Sequence, residues 1–93
     1  MLTVNEYFAG KVKSIALQTA TLPATVGVME PGDYEFGTNQ REVMTVISGA
    51  ITALLPNAKE WKTYNEGDSF EIEANVKFQV KLDIQTAYFC TYG

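Results

Sequence analysis

Apolar and polar residues alternate with a period of two along most of this chain, and no segment carries a sustained helical stripe. The alternation is cleanest where Val76, Phe78, Val80 and Leu82 interleave with Lys77, Gln79 and Lys81. Phe70 and Ile72 interleave with Glu71 and Glu73 in the same way, so both stretches predict half-exposed strands. Ala24 to Glu30 is more uniformly apolar and reads as a buried strand, with Gly27 marking a bulge or a close backbone approach. Lys11 to Leu17 mixes lysines with apolar residues, as a strand with one solvated face does. Val43 to Ile47 and Ala50 to Leu55 predict two apolar strands joined through Ser48-Gly49, and Ala87 to Tyr92 predicts a last, aromatic one. Glu6-Tyr7-Phe8, Tyr34-Glu35-Phe36 and Trp61 to Tyr64 add shorter runs. Turn residues separate these runs at Pro31-Gly32-Asp33, at Pro56-Asn57 and at Asn65 to Asp68. Roughly nine or ten short strands at this spacing indicate an all-β sandwich or barrel, in one domain spanning residues 1–93.

Composition narrows the chemistry. A chain of 93 residues builds one core but not two, and 46% apolar with 19% charged residues is a globular balance. The net charge of −4 argues against nucleic acid as a partner, because phosphate backbones need a basic face to displace their counterions. A small anion is still allowed, since one local cation suffices for it. Cys90 is the only cysteine, so no intramolecular disulfide supports the fold. The start, MLTVNEYF, lacks the charged and apolar blocks of a signal peptide, and the uncharged stretch from Val43 to Asn57 is too short to span a bilayer. These features predict a cytoplasmic protein with no membrane partner. Histidine is absent altogether. Imidazole is the usual ligand of zinc, copper and non-haem iron and the usual base at neutral pH, so no transition-metal site and no Ser-His or Cys-His pair is expected. Chemistry is left to carboxylates, lysines, tyrosines, the single arginine and backbone donors.

That arginine, Arg41, lies in a polar loop, Thr38-Asn39-Gln40-Arg41-Glu42, which opens onto the run from Val43 to Ile47. Side chains rich in hydrogen-bonding groups, carried on stiff strands, are a common place for function. An ordinary solvated connection has the same composition, and both readings stand on sequence alone.

The glycine spacing resembles that of the cupins, double-stranded β-helix barrels with two signature stretches. Gly32, Thr38, Gln40, Glu42 and Gly49 follow the first stretch with a shortened middle, and Gly67, Glu73-x-Asn75 and Phe78 follow the second. Thr38, Gln40 and Phe78 stand where cupins carry metal-binding histidines, so the chain looks like a cupin that has lost its metal. The segments NEYFAGKVKSI, VGVMEPGDYEF, EVMTVISGAITALLP, WKTYNEGDSFEI and TAYFCTYG resemble the small pyrimidine/purine nucleoside phosphorylase family over almost the whole length. The resemblance implies a cytoplasmic, metal-free homodimer that needs no cofactor. It implies an enzyme that converts purine and pyrimidine nucleosides, with phosphate as co-substrate, to a free base and a pentose 1-phosphate.

Such a reaction needs a phosphate site, a polar or negative environment for the sugar, and a surface for the base. Arg41 is the candidate for phosphate, because its fork engages two oxygens; it reads equally as a surface ion-pair partner. Glu42, at the cupin position that points into the barrel, is the candidate catalytic carboxylate. It would grip the ribose hydroxyls or balance charge at the anomeric carbon. Thr38 and Gln40 could reach the same hollow as neutral donors, or simply cap the loop. Phe78 is the candidate stacking surface for the base, with Tyr7 and Tyr88 adding hydroxyls. No imidazole is available to protonate the leaving base, so Glu42, Glu35 or a water would have to do it. The alternative function is a non-catalytic cupin that binds a nucleoside or sugar, and a barrel filled by its aromatics would point instead to a purely structural role.

Overall fold

In the computed structural model, which describes residues 1–93, the period-two pattern becomes ten strands and no helix. Numbered along the chain, one sheet of six strands runs β1 (Val4–Tyr7), β2 (Val12–Gln18), β3 (Pro23–Met29), β10 (Thr86–Tyr92), β5 (Glu42–Ser48) and β8 (Ser69–Ile72). The other, of four strands, runs β4 (Gly32–Gly37), β9 (Lys77–Leu82), β6 (Ala50–Leu54) and β7 (Lys62–Asn65). All neighbouring strands are antiparallel. With no helix present, none is long and apolar enough to cross a membrane.

Alternation decides what each strand buries. The inward row of β9 is Phe78, Val80 and Leu82, and it faces Met44 and Val46 of β5, Cys90 of β10 and Met29 of β3 in one apolar cluster. Each such side chain contributes about 1.5–3 kcal/mol when fully buried, so the cluster fixes which face of every strand turns inward. The chain passes from β5 in one sheet to β6 in the other at Gly49, whose φ of 95° only glycine adopts freely. A Cβ there would stand 2.5 Å from Thr86 Oγ1, so the corner has no room for a side chain either.

One strand departs from expectation. β3 is not buried throughout: Val26 and Val28 point outward and are 41% and 44% exposed. The reason is that the two faces of β3 see different surroundings. Its inward residues meet the core, while its outward valines share the bare outer face of the six-stranded sheet with Ile15 and Leu17 of β2.

The β1–β2 connection is the most constrained backbone in the molecule. Phe8 and Ala9 have φ of 54° and 57°, and the Gly10 amide donates to the Tyr7 carbonyl at 3.2 Å. Gly10 follows at φ 84°, so three successive left-handed residues turn the chain within a four-residue connection closed by the pairing of Tyr7 with Val12. Phe8 and Ala9 hold the two central positions of its first, mirror-image turn, where Asn-Gly is the usual choice. For Phe and Ala that conformation costs roughly 1–2 kcal/mol each.

Candidate functional site

A hollow of about 410 Å³ opens at one end of the barrel. The six-stranded sheet supplies Ser14, Met29, Glu42, Met44, Tyr88 and Tyr92 to its wall. Opposite them stand Glu35, Phe36 and Gly37 of β4 and Phe78 of β9, while Tyr7 and Phe8 approach from the constrained turn. The wall is mainly apolar, with a few polar groups aimed inward, which is the usual make-up of a small-molecule site.

Glu42 is the inward residue at the start of β5, opposite Tyr92 of β10 in the register. It is half-buried, and the loss of water raises its carboxyl above the usual carboxylate range. The Cys90 thiol donates to Glu42 Oε1 at 3.5 Å and partly offsets that rise. Burial first, then the Glu42 charge, pushes the Cys90 thiol itself up to about 12, so it stays a neutral donor at physiological pH. The Tyr92 hydroxyl shares a hydrogen bond of 2.8 Å with Thr25 Oγ1, and burial raises its pKa well above normal.

Tyr88 owes its pose to a glycine. It pairs with Gly27 across β10 and β3, and a Cβ at Gly27 would lie 2.5 Å from both Cζ and Oη of the phenol. The ring therefore lies flat over the β3 backbone, which is the close approach that Gly27 signalled. Burial pushes the Tyr88 hydroxyl up to about 12, although a hydrogen bond with Ser14 acts in the opposite direction.

Of the residues singled out from sequence, Glu42, Glu35, Phe78, Tyr7 and Tyr88 line the hollow, and Arg41, Thr38 and Gln40 do not. Arg41 turns outward: Nη2 donates to Glu71 Oε1 at 2.7 Å and Nη1 to the Gly93 carbonyl at 3.3 Å. Both partners of the ion pair are well solvated, at 48% and 66% side-chain exposure. Thr38 is occupied as a clasp between two loops. Its hydroxyl donates to the Glu73 carbonyl at 2.6 Å and accepts from the Val76 amide at 3.1 Å. Gln40 is exposed. Phe78 is only 2% exposed and packs behind Phe36, with ring centroids 5.7 Å apart. No lysine or arginine lines the hollow at all.

Sequence reasoning did not select Ser14, Met29, Met44, Tyr92, Phe8 or Phe36. The first four sit on inward rows of strands distant in sequence, and the register alone unites them. The usable signal was parity: Glu42, Met44, Tyr88, Tyr92 and Ser14 are all even-numbered positions on strands with even inward rows.

The donors do not fit the metal of a cupin. Thr38 is tied into its clasp, Gln40 faces solvent and Phe78 has no donor atom. No group of three or more Cys, Asp or Glu side chains converges anywhere in the chain.

Known proteins share this frame. The family described as pyrimidine/purine nucleoside phosphorylase matches residues 2–92. A relative of that name from Hahella chejuensis is 64% identical over 93 residues, covering 100% of both chains. Among solved structures, a protein of unknown function from Vibrio parahaemolyticus is 41% identical with a TM-score of 0.95, covering 100% of this chain and 99% of that one. An RmlC-like cupin from Shewanella frigidimarina is 18% identical with a TM-score of 0.76, over 98% of this chain and 82% of that one, and it attests the cupin fold alone.

Proposed function

We propose, since the chain belongs to the pyrimidine/purine nucleoside phosphorylase family, that its hollow takes a nucleoside and transfers the pentosyl group to phosphate. Purine and pyrimidine nucleosides are both substrates, and the products are the free base and α-D-ribose 1-phosphate. The bond between C1′ and the base nitrogen breaks with its electron pair leaving on the base. A phosphate oxygen then bonds to C1′, and the proton that hydrogen phosphate carries ends on the base nitrogen. The balance closes with no further reactant.

The observation that carries this reading is a carboxylate half-desolvated in an apolar hollow. Ionised, Glu42 is poorly solvated in the resting protein and gains most when positive charge appears at C1′. Its interaction is therefore stronger in the transition state than in the ground state, which is what lowers a barrier. The hydroxyls of Ser14, Tyr7 and Tyr88 are the neutral groups left for the sugar and phosphate oxygens. Thr38 and Gln40, outside the wall, have no part in this reading.

Phosphate needs a cation, and Arg41 is the one adjacent to Glu42 in sequence. Its exposed pair with Glu71 is worth about 0–1 kcal/mol, so a dianion competes for it easily. The absence of any cation from the wall itself favours a second reading, a binding cupin that holds a nucleoside without turnover. Incubation with a nucleoside, with and without phosphate, separates the two. Equimolar base and ribose 1-phosphate, formed only when phosphate is present, is the expected result. Thermal stabilisation by the nucleoside with no product would select the binding cupin.

A second copy of the chain is the partner that suits the outer face of the six-stranded sheet. Ile15, Val26 and Phe89 form a continuous cross-strand row there, and Val28 and Leu17 widen it. Neighbouring exposed apolar side chains of this kind mark interaction surfaces, and an isologous dimer would cover them with their own equivalents.

A further inference from the structure

The constrained turn between β1 and β2 presents Phe8 to the mouth of the hollow, and neither Phe8 nor Ala9 favours the left-handed backbone that it adopts there. Asn-Gly at these two positions would make the same turn without penalty. The phenyl ring leans on Tyr34 at 4.9 Å between centroids and stands edge-on to Phe36 at 5.5 Å, with planes 90° apart. It is nevertheless 43% exposed, whereas Phe78 is 2% exposed behind Phe36. Of the phenyl rings in the wall, Phe8 is therefore far more open to an entering base than Phe78, and its neighbour Tyr7, 49% exposed, stands beside it with a hydroxyl. Strain retained beside a cavity, on a residue whose side chain reaches into that cavity, is the pattern of a backbone held for a ligand.

We infer that Phe8 is the specificity-determining residue for the base: the nucleobase stacks on the Phe8 ring at the mouth, Phe36 stands perpendicular to that stack, and the left-handed turn holds Phe8 there. This rests on the phosphorylase reading of the hollow. Stacking recognises a π-face and not a pattern of donors, so one such wall accepts both base classes. It also grips the larger purine ring more firmly than the pyrimidine ring, and Phe8 therefore sets the preference between them.

The test compares the wild type with F8N/A9G, A9G and F8W, using inosine and uridine as probes. In F8N/A9G the turn keeps its shape and loses its strain along with the ring. The KM for inosine should rise about tenfold, the KM for uridine less, and the KM for phosphate should not move. A9G relieves strain while keeping Phe8, and should leave both nucleoside KM values within about twofold of wild type. F8W should restore or exceed the wild-type preference for inosine. If F8N/A9G leaves the ratio of inosine to uridine KM unchanged, Phe8 is not the base-reading residue, although the phosphorylase reading survives. If the wild type turns over neither nucleoside, that reading fails, and equilibrium dialysis of inosine decides the stacking question. Binding weakened about tenfold in F8N/A9G upholds it, and equal or absent binding overturns it.

Discussion

Arg41 and Glu42 are neighbours in sequence with opposite fates. Glu42 is the first residue of β5, where pairing with β10 and β8 turns its side chain to the interior. Arg41 lies one residue before that ladder, and its guanidinium follows the nearest exposed acid, Glu71. A hydrophilic loop written as one cluster thus splits between cavity and solvent. For Arg41 to serve phosphate it must exchange partners, from Glu71 to the dianion. R41A should then raise the KM for phosphate about tenfold while leaving the nucleoside KM and the melting temperature nearly unchanged. A changed melting temperature with unchanged kinetics would make the arginine structural. Cys90 adds a subtler control: its thiol, neutral across physiological pH, supplies the one hydrogen bond that Glu42 receives from a side chain.

At the scale of elements, the β3–β10 pair governs the hollow because Gly27 lets the Tyr88 ring lie across the β3 backbone. G27A has no empty space to use, since the new methyl would meet the phenol at 2.5 Å. Tyr88 would be driven into the hollow, and the variant should lose about 1–3 kcal/mol of stability in denaturant titration together with nucleoside affinity. Stability and affinity both at wild-type values would show that the pair yields freely. Strands were readable because alternation with a period of two is imposed by the pleat itself, as the row Phe78, Val80, Leu82 displays. Gly27 was readable too, since a glycine inside a strand weakens it and is kept where a side chain would not fit. The exposure of Val26 and Val28 was not, because an apolar run does not say whether its second face meets protein or water. Nor was the turn at Phe8 and Ala9, whose left-handed backbone contradicts the propensity of both residues. Ser14, Met44 and Tyr92 escaped notice because strand register, and no local pattern, brings them to Glu42.

At the scale of the whole molecule, one barrel offers two separate surfaces, a hollow lined by both sheets and an apolar outer face on the six-stranded one. If that sheet seats a second copy, sedimentation should give a dimer at micromolar concentration. V26K, a charge placed at the centre of the row Ile15, Val26, Phe89, should shift it to monomer without unfolding it. A wild-type monomer would leave the face uncovered and refute the dimer. The hollow remains the central matter, and the sign of its pH dependence follows from Glu42. Its carboxyl is raised by burial, and in the role proposed for it the working form is the carboxylate. Turnover should therefore appear as pH rises through that raised value and be lost below it, with an acid limb displaced upward from the ordinary carboxylate range. The most direct measurement is kcat for phosphate-dependent release of base, followed against pH in wild type and in E42Q. If Glu42 stabilises the charge at C1′, E42Q folds, loses about tenfold or more in kcat and no longer shows the acid limb. An E42Q variant that keeps the wild-type rate and the wild-type limb would contradict that role.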